Sequence, residues 1–130
     1  MRLDVTTSDA TDIVDVTARV EEAVPADADA GLATVFVPHT TAGVIVNEAE
    51  ARLLEDLETY IDGLAPSGRD YRHDTIDDNA AAHLRATVLG ESVAVPVDAG
   101  ELALGTWQSV LFVECDGPQS RSLHVSVVPA

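Results

Sequence analysis

The last third of the chain consists almost entirely of strand-like runs, so the chain must fold around a β-sheet. The runs Ser92 to Val97, Trp107 to Cys115 and Ser120 to Val128 are rich in β-branched and apolar residues, and each has the length of one strand. The last two runs flank Asp116-Gly117-Pro118-Gln119, which is a turn sequence. This arrangement predicts that they form an antiparallel hairpin.

The first two thirds of the chain mix strand and helix patterns. Gly31 to Pro38 and Val44 to Val46 are typical of strands. Asp15 to Val24 is typical of a short helix, because its valines recur at four-residue spacing. Since strands and helices do not alternate strictly, we expect an α+β fold, a mostly antiparallel β-sheet sandwich with helices on one face.

Two longer helices are also expected. Asn47, with Glu50 three residues later, predicts the capped start of the first helix. One apolar stripe then follows at Leu53, Leu57, Ile61 and Leu64. The second helix is expected over Ala80 to Leu89, capped by Asp77 or Asp78 and ended by Gly90.

The size and charge of the chain bound its organisation and its partners. Its 130 residues contain no repeat and only short loops at Pro25 to Gly31 and Leu64 to Asp70, so we expect a single domain over residues 1–130. There are 23 acidic residues against 7 basic ones, all arginine, for a formal charge of −16. Such a surface repels phosphate backbones and anionic lipids, so we expect neither nucleic-acid nor membrane partners.

The acidic residues are scattered from Asp4 to Asp116 and form no single block. This distribution favours adaptation to a salt-rich, halophilic cytoplasm over an acidic face for a basic partner. Cys115 is the only cysteine, which excludes an intrachain disulfide, and no apolar run follows Met1. We therefore expect a cytoplasmic location.

His39 is the first candidate site residue, because it follows a strand and precedes Thr40 and Thr41. A histidine in this position can bind a metal or transfer a proton, but it can equally hydrogen-bond its own loop. Asn47 and Glu48 can contact a ligand, although both also suit the start of a helix.

A second candidate group is His73 with Asn79 and His83. Asn79 and His83 are four residues apart and therefore share one face of a helix, a spacing also found in metal-binding helices. The match is partial, because the glutamate of the common zinc motif is missing. A helix cap and a surface histidine would give the same pattern.

Glu114 stands out among the acids because strand alternation places it on one face with Gln108, Val110 and Phe112. A carboxylate on such a face lies at the rim of the sheet or has a partner. Arg121, across the turn, can pair with Glu114 or Asp116, or it can hold a phosphate. Cys115 has no basic neighbour in sequence, so a thiol nucleophile is not indicated.

Taken together and in order, these segments resemble the YjbQ-like family (uncharacterised protein family 0047, secondary thiamine-phosphate synthase). The matching runs are Phe36 to Glu48 (FVPHTTAGVIVNE), Tyr71 to Leu84 (YRHDTIDDNAAAHL), Gly90 to Ser92 (GES), Gly105 to Gln108 (GTWQ), and Glu114 to Pro118 (ECDGP) with Arg121. One departure is Gln119, where the family often has a basic residue. It leaves Arg121 as the main local cation.

The resemblance implies an α+β sandwich that assembles as a homotrimer around a polar pocket. It implies catalytic roles for His39, Asn47, Glu114 and Arg121. Substrate would contact Thr40, Thr41, Trp107, Gln108 and Arg121. A divalent metal, Mg, Mn or Zn, would be held by His39, His73, His83 and Glu114. The implied activity is thiamine-phosphate synthesis, in which an aminopyrimidine diphosphate joins a thiazole phosphate and pyrophosphate leaves.

Two other functions fit the same residues. The site could belong to a metal-dependent hydrolase of a small phosphoester, with an activated water. The chain could also be a non-catalytic trimeric module that binds a metabolite or metal. A small phosphorylated metabolite is the expected partner in the enzymatic alternatives.

Overall fold

Eight strands and three α-helices follow one another irregularly along the chain. The computed structural model describes all residues from 1 to 130. The strands are β1 (Arg2–Thr6), β2 (Asp12–Asp15), β3 (Ala30–Phe36), β4 (Ala42–Asn47), β5 (Ser92–Asp98), β6 (Glu101–Leu102), β7 (Ser109–Glu114) and β8 (Ser120–Pro129). The helices are α1 (Thr17–Glu22), α2 (Ala51–Leu64) and α3 (Ala80–Leu89), with a 3-10 turn at Arg72–Thr75.

The strands form two antiparallel sheets, and the larger one curls into a half-barrel. The larger sheet has the order β1-β8-β3-β5-β6, and the smaller one has the order β2-β7-β4. Val110 and Phe112 of β7 face the core between the sheets, whereas Leu111 and Val113 face a second core beneath α2 and α3. The layers are therefore sheet, sheet and helices, which confirms the expected α+β sandwich with helices on one face.

The predicted hairpin between the last two strands is wrong. β7 pairs with β2 and β4, whereas β8 pairs with β1 and β3 in the other sheet. Because β7 is buried on both faces, it needs a layer on each side, and the central strand of the smaller sheet is the place that provides both. The connection crosses between the sheets through a cis Gly117–Pro118 bond, and Gly117 N–H donates to Ala10 O at 3.0 Å.

The predicted helix starts also need correction. Asn47 is the last residue of β4, and Glu50 caps α2 instead, since its carboxylate accepts a hydrogen bond from Leu53 N–H at 2.7 Å. For α3 the capping carboxylate is that of Asp74, which accepts from Ala80 N–H at 2.8 Å, and not that of Asp77 or Asp78. The residue that caps α3 is therefore further from the helix in sequence than the two residues that the spacing predicted.

Several other predictions are confirmed. The helix near Val20, the strand at Gly31 to Pro38 and the end of α3 at Gly90, with its φ of +89°, lie where expected. The strand predicted from Trp107 starts only at Ser109, so Gln108 does not share the face of Glu114. No helix is both long enough and apolar enough to cross a membrane.

Few of the acidic residues have a cation nearby, which predicts a fold that depends on salt. Only Asp4, Glu50, Asp62 and Glu114 lie within 4.0 Å of an arginine nitrogen. Counter-ions screen the repulsion among the others, so we expect the melting temperature to rise by about 10 °C from dilute buffer to molar potassium chloride. Calorimetry in both solutions measures this rise, and equal melting temperatures would contradict a halophilic adaptation.

Candidate functional site

A buried ion pair joins the end of β7 to the start of β8. The Glu114 side chain is fully buried, and the Arg121 side chain is 10% exposed. Arg121 Nε donates to Glu114 Oε1 at 2.9 Å, and Arg121 Nη2 donates to Glu114 Oε2. The same Nη2 donates to Thr41 Oγ1 at 2.8 Å. This two-pronged contact fixes the plane of the guanidinium group.

The Glu114 carboxylate is saturated by donors. Besides Arg121, it accepts hydrogen bonds from Thr7 Oγ1 at 2.8 Å and from the Asp116 N–H at 3.0 Å. Burial alone would raise the pKa of Glu114, but the bonds from Arg121, the Asp116 amide and Thr7 outweigh it and hold the pKa below its ordinary value. The group is therefore a charged anchor that orients Arg121, and it is poorly suited to accept a proton from a substrate.

The His39 ring lies beside β8, just beyond the point where the neighbouring strand β3 ends. The register places Phe36 opposite His124, so two residues further along Pro38 would lie opposite Ser122. Proline has no N–H to donate, and the His39 ring takes the place of a ladder partner. Its Nε2 lies 3.0 Å from Ser122 N and 3.1 Å from Ser122 O.

The anchored ring of His39 leaves one nitrogen for chemistry. Burial, followed by the nearby Arg121 charge, lowers the pKa of His39, which favours the neutral ring. Because Nε2 contacts the Ser122 backbone in either tautomer, Nδ1 is the nitrogen without a protein partner. A proton exchanged with a ligand would therefore pass through Nδ1.

His73 and His83 lie edge to face, with their ring centroids 4.8 Å apart at 84°. Asn79, immediately before α3, makes no side-chain hydrogen bond to either ring. Its amide nitrogen donates to Asp116 Oδ2 at 3.1 Å, and its Oδ1 is buried without a partner. The spacing predicted that Asn79 and His83 act together. The side chain that contacts the His83 ring is instead that of His73.

Three adjoining surface depressions connect the three histidines. The first, about 380 Å³, is lined by Arg2, Asp4, Val5, Thr6, His39, Ser120, Arg121 and Ser122. The second, about 300 Å³, is bordered by both His39 and His83 and also by Thr40. The third, about 380 Å³, is bordered by His83, His73 and Arg72. We call the three together the histidine strip.

The other predicted site residues lie elsewhere. β4 pairs with β7 so that Ala42 is opposite Glu114, whereas Asn47 is opposite Ser109 at the other end of the sheet. That separation is about 16 Å at the usual rise of a strand. Trp107 is 72% exposed next to Glu48, and Gln108 Oε1 accepts from Gly105 N–H at 2.8 Å in the preceding turn. The expectation that Asn47 lies near the histidines is wrong within one chain.

The four residues expected to hold a metal do not converge within one chain. Glu114 is occupied by Arg121, and the His39 Nε2 is occupied by Ser122. No three histidine, cysteine, aspartate or glutamate side chains come together in a way that could hold an ion. Zinc sites need three or four protein ligands, so the residues of a single chain do not fit such a group.

Sequence reasoning missed three partners of the site, namely Thr7, Asp116 as an N–H donor, and Ser122. Thr7 lies in a connecting segment without a motif, and Ser122 belongs to a polar stripe that is otherwise typical of a solvated strand. Burial raises the pKa of the Cys115 thiol to about 12, which disfavours the nucleophilic thiolate. Only the register of the two sheets reveals these contacts.

Comparison with known proteins places the whole chain among close relatives. The family described as "UPF0047 protein YjbQ-like" matches residues 1–130. A UPF0047 protein of Archaeoglobus fulgidus is 47% identical over 98% of this chain and 100% of its own length. The UPF0047 protein YugU of Bacillus subtilis is 33% identical over 97% of this chain and 96% of its own length.

Solved structures show the same fold. A hypothetical protein from Aeropyrum pernix superposes with a TM-score of 0.95 at 44% identity, covering 100% of this chain and 98% of that one. A YbjQ-like protein of unknown function from Sulfolobus solfataricus superposes with a TM-score of 0.96 at 38% identity, covering 100% and 96%.

Proposed function

The chain belongs to the YjbQ-like UPF0047 family, and on that basis we propose that it is a thiamine-phosphate synthase-like transferase. In the proposed reaction an aminopyrimidine diphosphate joins a thiazole phosphate, and pyrophosphate leaves. The histidine strip is the proposed site. The observation that carries this proposal is the continuity of the strip, which offers neighbouring places for two small phosphorylated molecules.

Cations border the strip at both ends, which suits two anionic substrates. Arg2 and Arg121 line the first depression, and Arg72 lines the third. Three carboxylates, Asp4, Glu91 and Asp70, line the same depressions, so the strip has a formal charge near zero in a chain with 7 basic residues against 23 acidic ones. Arginine suits phosphate because its planar fork donates two hydrogen bonds at once.

Arg121 is the proposed partner of the leaving diphosphate. Its Nε and Nη2 are bound to Glu114 and Thr41, whereas its Nη1 makes no hydrogen bond within the chain. When the bond to the diphosphate breaks, the electron pair leaves with the oxygen, and negative charge develops there. A donor already fixed by a buried carboxylate stabilises this charge without having to reorient.

His39 and the neighbouring hydroxyl groups would hold the reactants in position. The hydroxyls of Thr6 and Ser120 line the first depression together with His39. His39 Nδ1 is the free ring nitrogen that could donate to or accept from a substrate. Such alignment in a pocket lowers the barrier because the reactants lose their freedom of motion on binding and not during the reaction.

A divalent metal is a separate part of the proposal. Magnesium and manganese are commonly held through substrate phosphates with few protein ligands. Since one chain offers no complete set of ligands, we propose that the ion arrives with the diphosphate. The homotrimer implied by the family resemblance is also proposed.

The test is an assay of thiamine-phosphate formation in molar potassium chloride with both precursors and Mg²⁺ or Mn²⁺. We expect kcat/KM to fall about 100-fold in His39→Gln, because the ring contacts the substrate. The matched control is Arg52→Ala, an exposed arginine on α2 paired only with Glu50, which should retain the activity of the unaltered protein. Arg121→Ala is a poor probe, since it also leaves Glu114 buried without a partner.

The outcomes separate the three functions. Product that requires both precursors and depends on His39 supports the transferase. Hydrolysis of a single phosphoester, with no thiamine phosphate formed, would show that the protein is a hydrolase and not the transferase. Binding of the precursors without any turnover would replace it with a metabolite-binding module.

A further inference from the structure

A groove of about 640 Å³ lies in the helix layer, between the end of α2, the loop that follows it, and α3. Its apolar lining comes from Leu64, Ala65, Pro66, Leu84 and Val88. It shares Tyr71 and Leu84 with the third depression of the histidine strip, but it contains none of the histidines. We call it the helix groove. A concave site of this volume is large enough for a small organic molecule.

A buried charge holds the wall of the helix groove in place. The Arg85 side chain on α3 is only 9% exposed. Its Nε donates to Ala65 O at 3.1 Å, and its Nη2 donates to Asp62 O at 3.1 Å, at the end of α2 where carbonyls have no partner within the helix. The hydroxyl of Tyr71 donates to Pro66 O at 2.8 Å. Because these bonds fix the loop to both helices, a ligand does not have to order the groove on binding.

No acidic side chain lines the helix groove, and one cation does. The four other depressions of the surface each include at least one carboxylate, as expected for a chain with 23 acidic residues. The one charged side chain that lines the groove is that of Arg69, which is exposed. Four other arginines have a carboxylate within 4.0 Å, and Arg69 has none. The neighbouring Asp70 lines the third depression instead. The groove therefore favours one negative charge beside an apolar surface.

The hydrogen-bond donors of the helix groove limit the kind of anion. Besides Arg69, the polar side chains of its lining are Tyr71 and Thr87. Both hydroxyl protons are already used, because Tyr71 donates to Pro66 O and Thr87 donates to His83 O at 2.8 Å. A phosphate has three strong acceptor oxygens, which is more than one guanidinium group can satisfy. The fork of a single arginine matches a single carboxylate.

We propose that the helix groove binds a small organic acid, whose apolar chain or ring lies against Leu84 and Val88 and whose carboxylate contacts Arg69. Leu84 is 45% exposed and Val88 is 67% exposed, so such a ligand removes apolar surface from water. A cationic ligand would be attracted to acidic surface elsewhere and repelled by Arg69. Since the chain as a whole repels anions, the apolar contact supplies the affinity and Arg69 sets the orientation. This inference goes beyond the proposed transferase and does not depend on its reaction.

The test is a titration with hexanoate and, separately, with 1-hexanol, which has the same chain without the charge. Amide chemical shifts of the full chain in molar potassium chloride follow both titrations. Salt at this concentration screens charges beyond about 3 Å, so an effect of charge reports direct contact. We expect the largest shift changes at Leu64, Ala65, Leu84 and Val88. Arg69→Gln should weaken the binding of hexanoate about threefold and leave that of 1-hexanol unchanged.

Val88→Asp should weaken the binding of hexanoate about tenfold, because it removes apolar contact and places a negative charge in the helix groove. The matched control is Val128→Asp, the same substitution at a residue that is 63% exposed on β8 in the larger sheet. It should bind hexanoate as the unaltered protein does. Circular dichroism shows whether these variants are folded.

Three results would overturn the proposal. The first is no binding of hexanoate, or shift changes that lie outside the helix groove. The second is an Arg69→Gln variant that binds both ligands as before or loses both equally. The third is a set of groove shifts that change with protein concentration alone, which would show that another copy of the chain occupies the groove instead of a small acid.

Discussion

Glu114→Ala should lower the free energy of unfolding by about 3–5 kcal/mol, because it leaves the Arg121 guanidinium nearly buried without its partner. The Arg121 side chain is only 10% exposed, so water cannot replace the lost carboxylate. Thr7 and the Asp116 amide lose their acceptor at the same time. Domains of this size have a total stability of about 5–15 kcal/mol, so the variant should be marginally folded.

Urea unfolding in molar potassium chloride measures this loss. Glu55→Ala, which removes an exposed carboxylate from α2, is the control and should change stability by less than about 0.5 kcal/mol. The double variant Glu114→Leu with Arg121→Met should recover much of the loss, because no buried charge is then left alone. Equal stability of Glu114→Ala and the control would show that the ion pair contributes nothing.

Glu114 and His39 both contribute to the way in which stability changes with pH. The pKa of Glu114 is below its ordinary 4.5 in the folded state, so its contribution is present above pH 4.5 and is lost as the pH falls through the lowered value. His39 acts in the same direction from its ordinary pKa of 6.5. In molar potassium chloride, which screens the repulsion among the carboxylates, stability should therefore fall on acidification in two steps, and His39→Gln should remove the first of them.

Gly117→Ala should destabilise the protein by about 3 kcal/mol, at the upper end of the cost of overpacking. A Cβ at this position would collide with the backbone oxygen of Asp9 and would lie 2.8 Å from Glu114 Cγ. Because one of these neighbours is backbone, the crossing between the two sheets would have to shift and would displace Glu114. Thermal and urea unfolding measure the loss.

The same substitution elsewhere should have the opposite sign. Gly63 lies in α2, and a Cβ added there would have no atom within 4 Å, so Gly63→Ala should stabilise the protein by about 0.5 kcal/mol. The contrast separates the steric effect at Gly117 from the general effect of replacing glycine. A Gly117→Ala variant as stable as the unaltered protein would mean that the crossing can accommodate a side chain.

Local sequence patterns predicted most of the helices and strands, but they did not predict which strands pair with one another. Apolar spacing located α1 and α2, runs of β-branched and apolar residues located β3 and β5, and Gly90 located the end of α3. The hairpin across Asp116 to Gln119 was wrongly predicted because a turn sequence indicates only that the chain changes direction. It does not indicate which sheet the next strand joins. The strands β1 and β2 were missed because each is short and two of its residues are charged, Arg2 and Asp4 in β1 and Asp12 and Asp15 in β2.

The candidate site was predictable in its parts and not in its geometry. The isolated charge on the apolar face of β7 correctly pointed to a partnered Glu114, and Glu114 was one of the two partners considered for Arg121. The contact of His73 with His83 and the separation of Asn47 depend on how β4 lies against β7 and α3. Such distances follow from tertiary packing, which spacing along the chain does not encode.

The His39 ring takes the place of a backbone partner beside β8, so its position depends on the correct pairing of β3 with β8. Residues 39 and 122 are 83 positions apart, so the imidazole reaches its place only after β3 and β8 have met. Its rotation would expose the Ser122 amide to water. Hydrogen exchange at that single amide should therefore record how often the ring leaves its position, with or without a ligand in the strip.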